Sequence, residues 1–140
     1  MKIQKIIFLV LIVITAFSVN SYSQDKEYKD YTDIGIIEDP VVPIEEIFID
    51  RDKYHREIIV IEGKLSKLEY KSLIGGKKFT LFIVENEDGK RIKVYARGTV
   101  EGLEEDSDIR VHGRYSKSKK FGFNKFKNVM KAREIQINGL

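Results

Sequence analysis

The sequence lacks cysteine altogether, and its 140 residues include only two histidines, His55 and His112. Without cysteine the chain can form no disulfide, use no thiol as a nucleophile and carry no lipid on a cysteine. A structural zinc site takes four Cys or His ligands, and two histidines are too few to supply them. The folded domain must therefore be held together by its hydrophobic core.

Signals of catalysis are equally sparse. No serine stands in a recognisable arrangement with a histidine and an acid, and no glycine-rich phosphate-binding motif occurs. Two acidic clusters, at 85–88 and 104–108, lack the alternating ligand positions of a calcium loop and are better explained as turns. We therefore expect a protein that binds a ligand without enzymatic activity, cofactor or metal.

The first 23 residues have the order of a secretory signal peptide. Lys2 and Lys5 precede a continuous apolar run at 6–17, and a small polar run ends at Ser23, after which we expect cleavage. The apolar run spans about 18 Å as a helix, well short of the ~30 Å hydrocarbon core of a membrane. We expect a periplasmic or secreted protein with no stable membrane span after signal cleavage. An uncleaved membrane anchor is the alternative.

Charge is distributed unevenly along the rest of the chain. Residues 24–52 contain three Lys or Arg against ten Asp or Glu, whereas residues 53–140 contain twenty against twelve. An acidic leader followed by a basic domain is typical of polyanion binding or of an interaction tail, and a merely solubilising linker is the alternative. We expect a flexible acidic leader at 24–43 and a single domain at 44–140.

Apolar residues alternate with polar ones in five successive segments between residues 57 and 137. A two-residue period buries one face of a β-strand and leaves the other to solvent, so each segment is predicted to be a strand. The predicted strands are 57–70, 78–85, 91–97, 109–117 and 123–137. Just before them, the apolar spacing at 44–54 predicts a helical turn or a cap over one end of the fold.

The segments between the strands carry turn residues. We expect Gly63 to bend or bulge the first strand, and an Asp-Gly pair to form a tight hairpin after the second. A glycine-containing loop is expected at 71–77, and an acidic connection with room for a helical turn at 98–108. A basic hairpin tip is expected at 116–122.

Motifs in the five strands combine the alternation with glycine. They are Ile59-x-Ile61-x-Gly63-x-Leu65, Phe79-x-Leu81-x-Ile83, Ile92-x-Val94-x-Ala96, Ile109-x-Val111-x-Gly113 and Met130-x-Ala132-x-x-Ile135. Their order and spacing over 57–137 resemble the oligonucleotide/oligosaccharide-binding (OB) fold of the nucleic-acid-binding type. The resemblance implies an all-β, five-stranded Greek-key barrel with a short helix or loop between strands three and four. It also implies a ligand site on strands two and three, flanked by the loops at 71–77 and 116–122.

If the alternating apolar residues face the core, their neighbours face outward and could bind the ligand. This rule places Lys93, Tyr95 and Arg97 together on strand three, and turns Thr80 and Phe82 outward on strand two. The candidate ligand-binding residues are Lys78, Phe82, Lys93, Tyr95, Arg97, Arg110, Arg114, Lys117, Lys119, Lys120, Phe121, Phe123 and Lys125. Cations for phosphates and rings for base stacking are what single-stranded nucleic acid requires. The alternative is an ordinary solvated basic surface.

These residues favour an exported binding protein whose partner is single-stranded nucleic acid or another polyanion. The export signal favours a different class, a protein-interaction or envelope-stress module with a protein partner in the cell envelope, because nucleic acid is scarce outside the cytoplasm. Oligosaccharide binding is a third alternative.

Overall fold

The computed structural model of the chain describes residues 32–121 and 123–137. The signal peptide expected at 1–23 and the first residues of the leader lie outside the described residues. The described elements are β1 (Asp33–Ile34), α1 (Ile44–Ile49), α2 (Arg51–Tyr54), β2 (Ile58–Ser72), β3 (Lys78–Glu85), β4 (Arg91–Arg97), β5 (Asp108–Phe121) and β6 (Asn124–Ile137). Neither described helix is long and apolar enough to cross a membrane.

Hydrogen bonds join the strands in the order β1-β6-β4-β3-β2-β5, and β5 pairs with β6 as well. The five strands β2 to β6 are therefore paired in a closed circuit, in which each strand has a neighbour on both sides. Neighbouring strands are antiparallel, except that β6 runs parallel to both β1 and β4. The mostly β fold and the five long strands expected from the alternation are confirmed, and β1 is an additional strand.

Residues from β2 to β6 form one hydrophobic core. The helix α1 lies over it with Ile44 and Ile47 buried, as the apolar spacing at 44–54 predicted. The connection between β4 and β5 forms turns without a helix, and it adds Val100 and Leu103 to the core. The strands contribute Ile61, Leu65, Phe82, Val84, Ile92, Val94, Ala96, Ile109, Val111, Tyr115, Met130, Ala132 and Ile135.

The strand β2 bulges beyond Gly63 and not at it. Its register with β3 shifts between Ser66 and Glu69, where Lys67 has a φ of 52°. A bulge of this kind bends the strand and increases its twist. At Gly63 the constraint is space, because a Cβ there would run into the backbone carbonyl oxygen of Glu85 on β3. Glycine is therefore required at position 63 by the close approach of β2 to β3, and not by a bulge.

Residues 32–43 pack onto the sheet, although the sequence predicted that they belong to a flexible leader. The strand β1 pairs with β6, Ile37 is only 3% exposed, and Val41 forms a bridge with Val60. The segment was predicted to be flexible because most of its residues are polar. Its few apolar residues nevertheless pack against the sheet. The domain boundary between leader and OB domain remains a prediction.

The two faces of β3 are the reverse of the prediction. Thr80 and Phe82, expected to face solvent, point into the core, and Phe82 is 2% exposed. Phe79, Leu81 and Ile83, expected in the core, are half-buried on the outer face. Both faces of this strand are apolar, so alternation alone could not tell which face is inside.

The basic segment predicted to be a hairpin tip is paired strand instead. The strands β5 and β6 remain in register from Ser116 with Val129 to Phe121 with Asn124, so the pairing continues to the last residue of β5 and the first residue of β6. We call residues 116–121 and 123–129 the hairpin arm. The lysines of this segment are compatible with a paired strand, because lysine is common on exposed strands.

Candidate functional site

An open groove of about 450 Å³ lies between the outer faces of β3 and β4, the end of β2 and the hairpin arm. Its lining residues are Lys67, Glu69, Lys71, Leu73, Phe79, Leu81, Phe82, Ile83, Lys93, Val94, Tyr95, Phe121, Phe126 and Val129. Binding pockets for organic ligands typically measure ~300–1,000 Å³, and this groove falls in that range. It occupies the two strands on which the OB resemblance placed the ligand site.

The floor of the groove is apolar because β3 has apolar residues on both faces. Phe79, Leu81 and Ile83 point out of the sheet and are half-buried. Beyond its bulge, β2 continues beside β3 and places Glu69 at the margin of the same groove, and Leu73 lines it just after the strand ends. A hydrophobic surface of this kind favours a ligand with apolar or aromatic groups.

The hairpin arm supplies a cluster of aromatic rings at one side of the groove. The Phe121 and Tyr95 rings meet edge to face with their centroids 5.3 Å apart, and the centroid of the Phe126 ring lies 5.7 Å from that of Phe121. These edge-to-face geometries are the ones that aromatic pairs favour. Tyr95 is therefore only 8% exposed, in contrast to the exposed position expected from its parity, whereas Phe121 is 41% exposed.

Lysines surround the aromatic cluster. The ammonium group of Lys93 lies 5.0 Å from the centre of the Phe126 ring, and that of Lys119 lies 5.0 Å from the Tyr95 ring. Lys119 also donates a hydrogen bond of 2.5 Å to the Tyr95 hydroxyl. The Lys93–Phe126 contact has the distance of a cation–π contact, which contributes about 0.5–1 kcal/mol at an exposed site, whereas Lys119 is held at the edge of the Tyr95 ring by its hydrogen bond to the hydroxyl. Both contacts hold positive charge at the mouth of the groove.

Two further lysines stand on the opposite margin, on β2. Lys67 occupies the bulge, and Lys71 lies 3.6 Å from the carboxylate of Glu69 in an exposed ion pair. Exposed ion pairs contribute little to stability, so this contact leaves the Lys71 ammonium available to a ligand. The groove thus has a hydrophobic floor and cationic margins on both sides.

Five of the predicted ligand-binding residues meet at the groove. They are Phe82, Lys93, Tyr95, Lys119 and Phe121. Phe82 belongs to the core and reaches the groove only from below, because its strand face is the inner one.

Arg110 and Lys117 were predicted in the same site but have partners elsewhere. Arg110 donates a hydrogen bond of 3.1 Å to the carbonyl oxygen of Ile37 and lies 3.5 Å from Glu62, so it helps to hold residues 32–43 on the sheet. Lys117 forms an ion pair of 2.5 Å with Asp52 on α2. The hydrogen bond and the positive charge of Lys117 lower the pKa of the Asp52 carboxyl below its usual value.

The other six predicted residues lie around the groove without lining it. Lys78 and Arg97 stand at strand ends, Arg114 is exposed on β5, and Lys120, Phe123 and Lys125 are exposed at the end of the hairpin arm.

Several groove residues were missed by the sequence reasoning. Leu81, Ile83 and Phe79 had been assigned to the core by their alternation, and Lys67 was not among the candidates, whereas Phe126 belongs to the 116–127 segment in which the site was expected. The run from residue 79 to 84, in which only Thr80 is polar, is a usable signal, because it places apolar side chains on both faces of the strand. No signal in the sequence indicates that the hairpin arm borders the groove on the outer face.

Within the described ranges, no three His, Cys, Asp or Glu side chains lie close enough to hold a metal ion. His112 lies between two carboxylates, 3.6 Å from Asp39 and 3.8 Å from Glu134, and the contact with Asp39 helps to fasten residues 32–43. The groove offers hydrophobic surface, ring edges and ammonium groups, and these are the means of non-covalent binding.

Neither a protein-family model nor a curated protein matches this sequence. Among solved structures, the chain is similar to a crystal structure of a protein assigned as an aspartyl-tRNA synthetase from Leishmania major Friedlin, with a TM-score of 0.53 and 12% sequence identity. The match covers 74% of this chain but only 21% of that one. Similarity at this identity shows the fold alone. Together with the strand pairing, it defines an OB-like fold.

Proposed function

We propose that this chain is an exported OB-barrel protein without enzymatic activity, and that its groove binds single-stranded nucleic acid or a similar anionic polymer. The observation that supports this proposal best is the meeting of aromatic rings and lysine ammonium groups in one groove, on the strands that carry ligands in OB folds. Export would follow from the signal peptide expected at 1–23.

Stacking is the first contribution to binding. Phe121 is 41% exposed and Phe126 is half-buried beside it, so bases can reach both rings without opening the core. A base stacked on an aromatic side chain contributes ~1–3 kcal/mol, and the contribution depends little on base identity. The proposed binding is therefore tolerant of sequence.

Positive charge is the second contribution. Lys67, Lys71, Lys93 and Lys119 stand around the groove, where they can contact phosphates on either side of a stacked base. Each phosphate neutralised on a single strand changes the slope of log K against log salt by about −0.7, so four contacts give a slope of about −3.

Fluorescence anisotropy with a labelled oligothymidylate, titrated with the chain from residue 24 onward at several salt concentrations, tests this proposal. We expect saturable binding that weakens steeply with salt, and the absence of binding at low salt would refute it. The double variant Phe121→Ala, Phe126→Ala should bind at least tenfold more weakly, whereas Phe123→Ala should bind like the wild type. Phe123 is the matched control because it is fully exposed in the same hairpin and outside the groove lining.

A protein partner in the cell envelope is the second candidate, and one feature of the groove favours it. Leu73, Leu81 and Ile83 have no flat π surface for bases, but they would accept the apolar side chains of an acidic peptide. A labelled peptide of alternating leucine and aspartate is the probe for this candidate. If that peptide binds, oligothymidylate does not, and Leu81→Ser weakens the peptide alone, the protein partner replaces nucleic acid as the ligand.

A further inference from the structure

A second group of positive charges lies outside the groove, centred on Lys131 of β6. In the sheet, Lys131 is paired with Tyr95 on β4 at one side and with Arg114 on β5 at the other. Directly opposed residues in neighbouring strands have side chains on the same face of the sheet, about 5 Å apart at Cβ. Two cations are thus placed side by side on the outer face.

The charges of four other residues reach the ammonium group of Lys131. Burial lowers the pKa of Lys131 below its ordinary value, and the nearby charges of Arg97, Lys119, Arg133 and Arg114 lower it further. We call Lys131 and these four residues the Lys131 cluster. The directly opposed pair of Lys131 and Arg114 is electrostatically unfavourable in the free protein, because like charges at such positions repel each other.

At three positions of the Lys131 cluster, the repulsion between like charges is not offset by an ion pair with an acidic side chain of the described residues. Within the described part of the chain, no carboxylate forms an ion pair with Lys131, Arg114 or Arg133. Directly opposed like charges weaken strand pairing, so the sheet is less stable than it would be with a neutral residue at either position. An anion bound at the cluster would reverse that effect.

Lys119 connects the cluster with the groove. Its ammonium group bonds the Tyr95 hydroxyl at 2.5 Å and lies 5.4 Å from the centre of the Phe121 ring, while its charge also acts on Lys131. A chain of anionic groups that leaves the aromatic rings at this point would meet Lys119, then Lys131, and then Arg114. The positive surface is therefore continuous from the groove across β6 to β5.

We propose that the Lys131 cluster is a binding site for phosphate groups, and that it receives the backbone of the polymer whose bases occupy the groove. The phosphate chemistry of the site stands on the cluster itself, whereas the nucleic-acid source of the phosphates rests on the proposed function. Arginine and lysine side chains bind phosphate oxygens by charge-assisted hydrogen bonds.

Two probes test the site, inorganic tripolyphosphate and labelled oligothymidylate, each titrated into the chain from residue 24 onward. For the double variant Arg114→Gln, Lys131→Gln we expect at least tenfold weaker tripolyphosphate binding. We also expect a salt slope for oligothymidylate that is smaller by about 1.4, which corresponds to two lost phosphate contacts. The control Lys90→Gln removes an exposed lysine from the turn at the other end of β4 and should change neither result.

Loss of folding cannot imitate this outcome, because removal of the repulsion should leave the double variant as stable as the wild type or more so. In addition, the pKa of Lys131, followed by NMR, should rise when tripolyphosphate is added to the wild type.

If oligothymidylate does not bind while tripolyphosphate binding depends on the cluster, the proposed function fails and the phosphate site stands. If oligothymidylate binds equally well to the double variant with an unchanged slope, the phosphate site is refuted and the proposed function stands. If neither probe binds the wild type, both are refuted.

Discussion

Replacement of Thr80 with valine tests the reversed faces of β3, because the two orientations of this strand predict different stabilities. Thr80 is 0% exposed. Its hydroxyl donates a hydrogen bond of 2.8 Å to the carbonyl oxygen of Gly98 and accepts one of 2.9 Å from the backbone N–H of Val100. Valine has a similar shape but can make neither bond, so the variant leaves the N–H of Val100 without a partner in the core.

The magnitude follows from the two lost bonds. A hydrogen bond contributes about 1 kcal/mol net, and a buried donor left unpaired costs ~1–3 kcal/mol. We therefore expect Thr80→Val to lower the free energy of unfolding by about 2–4 kcal/mol, with part of the loss offset by the less polar side chain. For a domain of about 100 residues, this corresponds to a fall in Tm of roughly 10–20 °C.

Urea unfolding of the chain from residue 24 onward, followed by far-UV circular dichroism, measures this difference. Thr99→Val is the matched control, because Thr99 is exposed in the connection that follows β4. Its effect should stay within about 0.5 kcal/mol. If Thr80→Val were as mild as Thr99→Val, Thr80 would face solvent, and the orientation of β3 described above would be refuted.

Three further substitutions test other parts of the fold. Gly113→Ala drives a Cβ into a backbone carbonyl of β6 and should cost about 3 kcal/mol or more in urea unfolding, whereas Gly35→Ala meets open space and should be mild. Ile37→Ala should cost about 2 kcal/mol and speed proteolysis within 32–43, and unchanged cleavage would contradict the packing of that segment. Burial raises the pKa of Tyr115 above its ordinary 10.0, so the unfolded chain ionises first and stability falls as pH rises above about 10. Tyr115→Phe loses the hydrogen bond to Asn128, which lowers the free energy of unfolding by about 1 kcal/mol. Between pH 9 and 11, however, the free energy of unfolding should fall less in this variant than in the wild type.

The strands could be predicted from the sequence because most of them have one apolar and one polar face. In β4, Ile92 and Val94 alternate with charged Arg91 and Lys93, and the predicted faces agree with the structure. In β3 the rule failed, since every residue from 79 to 84 except Thr80 is apolar. The orientation of such a strand depends on which of its apolar faces packs into the core, whereas its other face lines a groove bordered by residues about 40 positions further along the chain.

The position of the hairpin arm is the part of the site that the alternation could not show. Asn128 has a φ of 54°, and the register between β5 and β6 shifts between His112 and Gly113. Irregularities of this kind change the direction of a strand without changing the pattern of apolar residues along it. The aromatic and basic residues of the arm were recognised from the sequence as candidates, but their contacts with Tyr95 depend on that change of direction.

The buried positions of Phe82 and Tyr95 change which side chains can test stacking. Both were predicted to face the ligand, yet their exposed fractions are 2% and 8%. Removal of a buried aromatic ring costs about 3–5 kcal/mol, so a loss of affinity in such a variant would report damage to the fold as readily as lost stacking. Phe121 and Phe126 lie in the hairpin arm, outside the hydrophobic core, and their removal leaves the core intact. Stacking is therefore to be tested on Phe121 and Phe126, because removal of these two rings can change binding without a large change in stability.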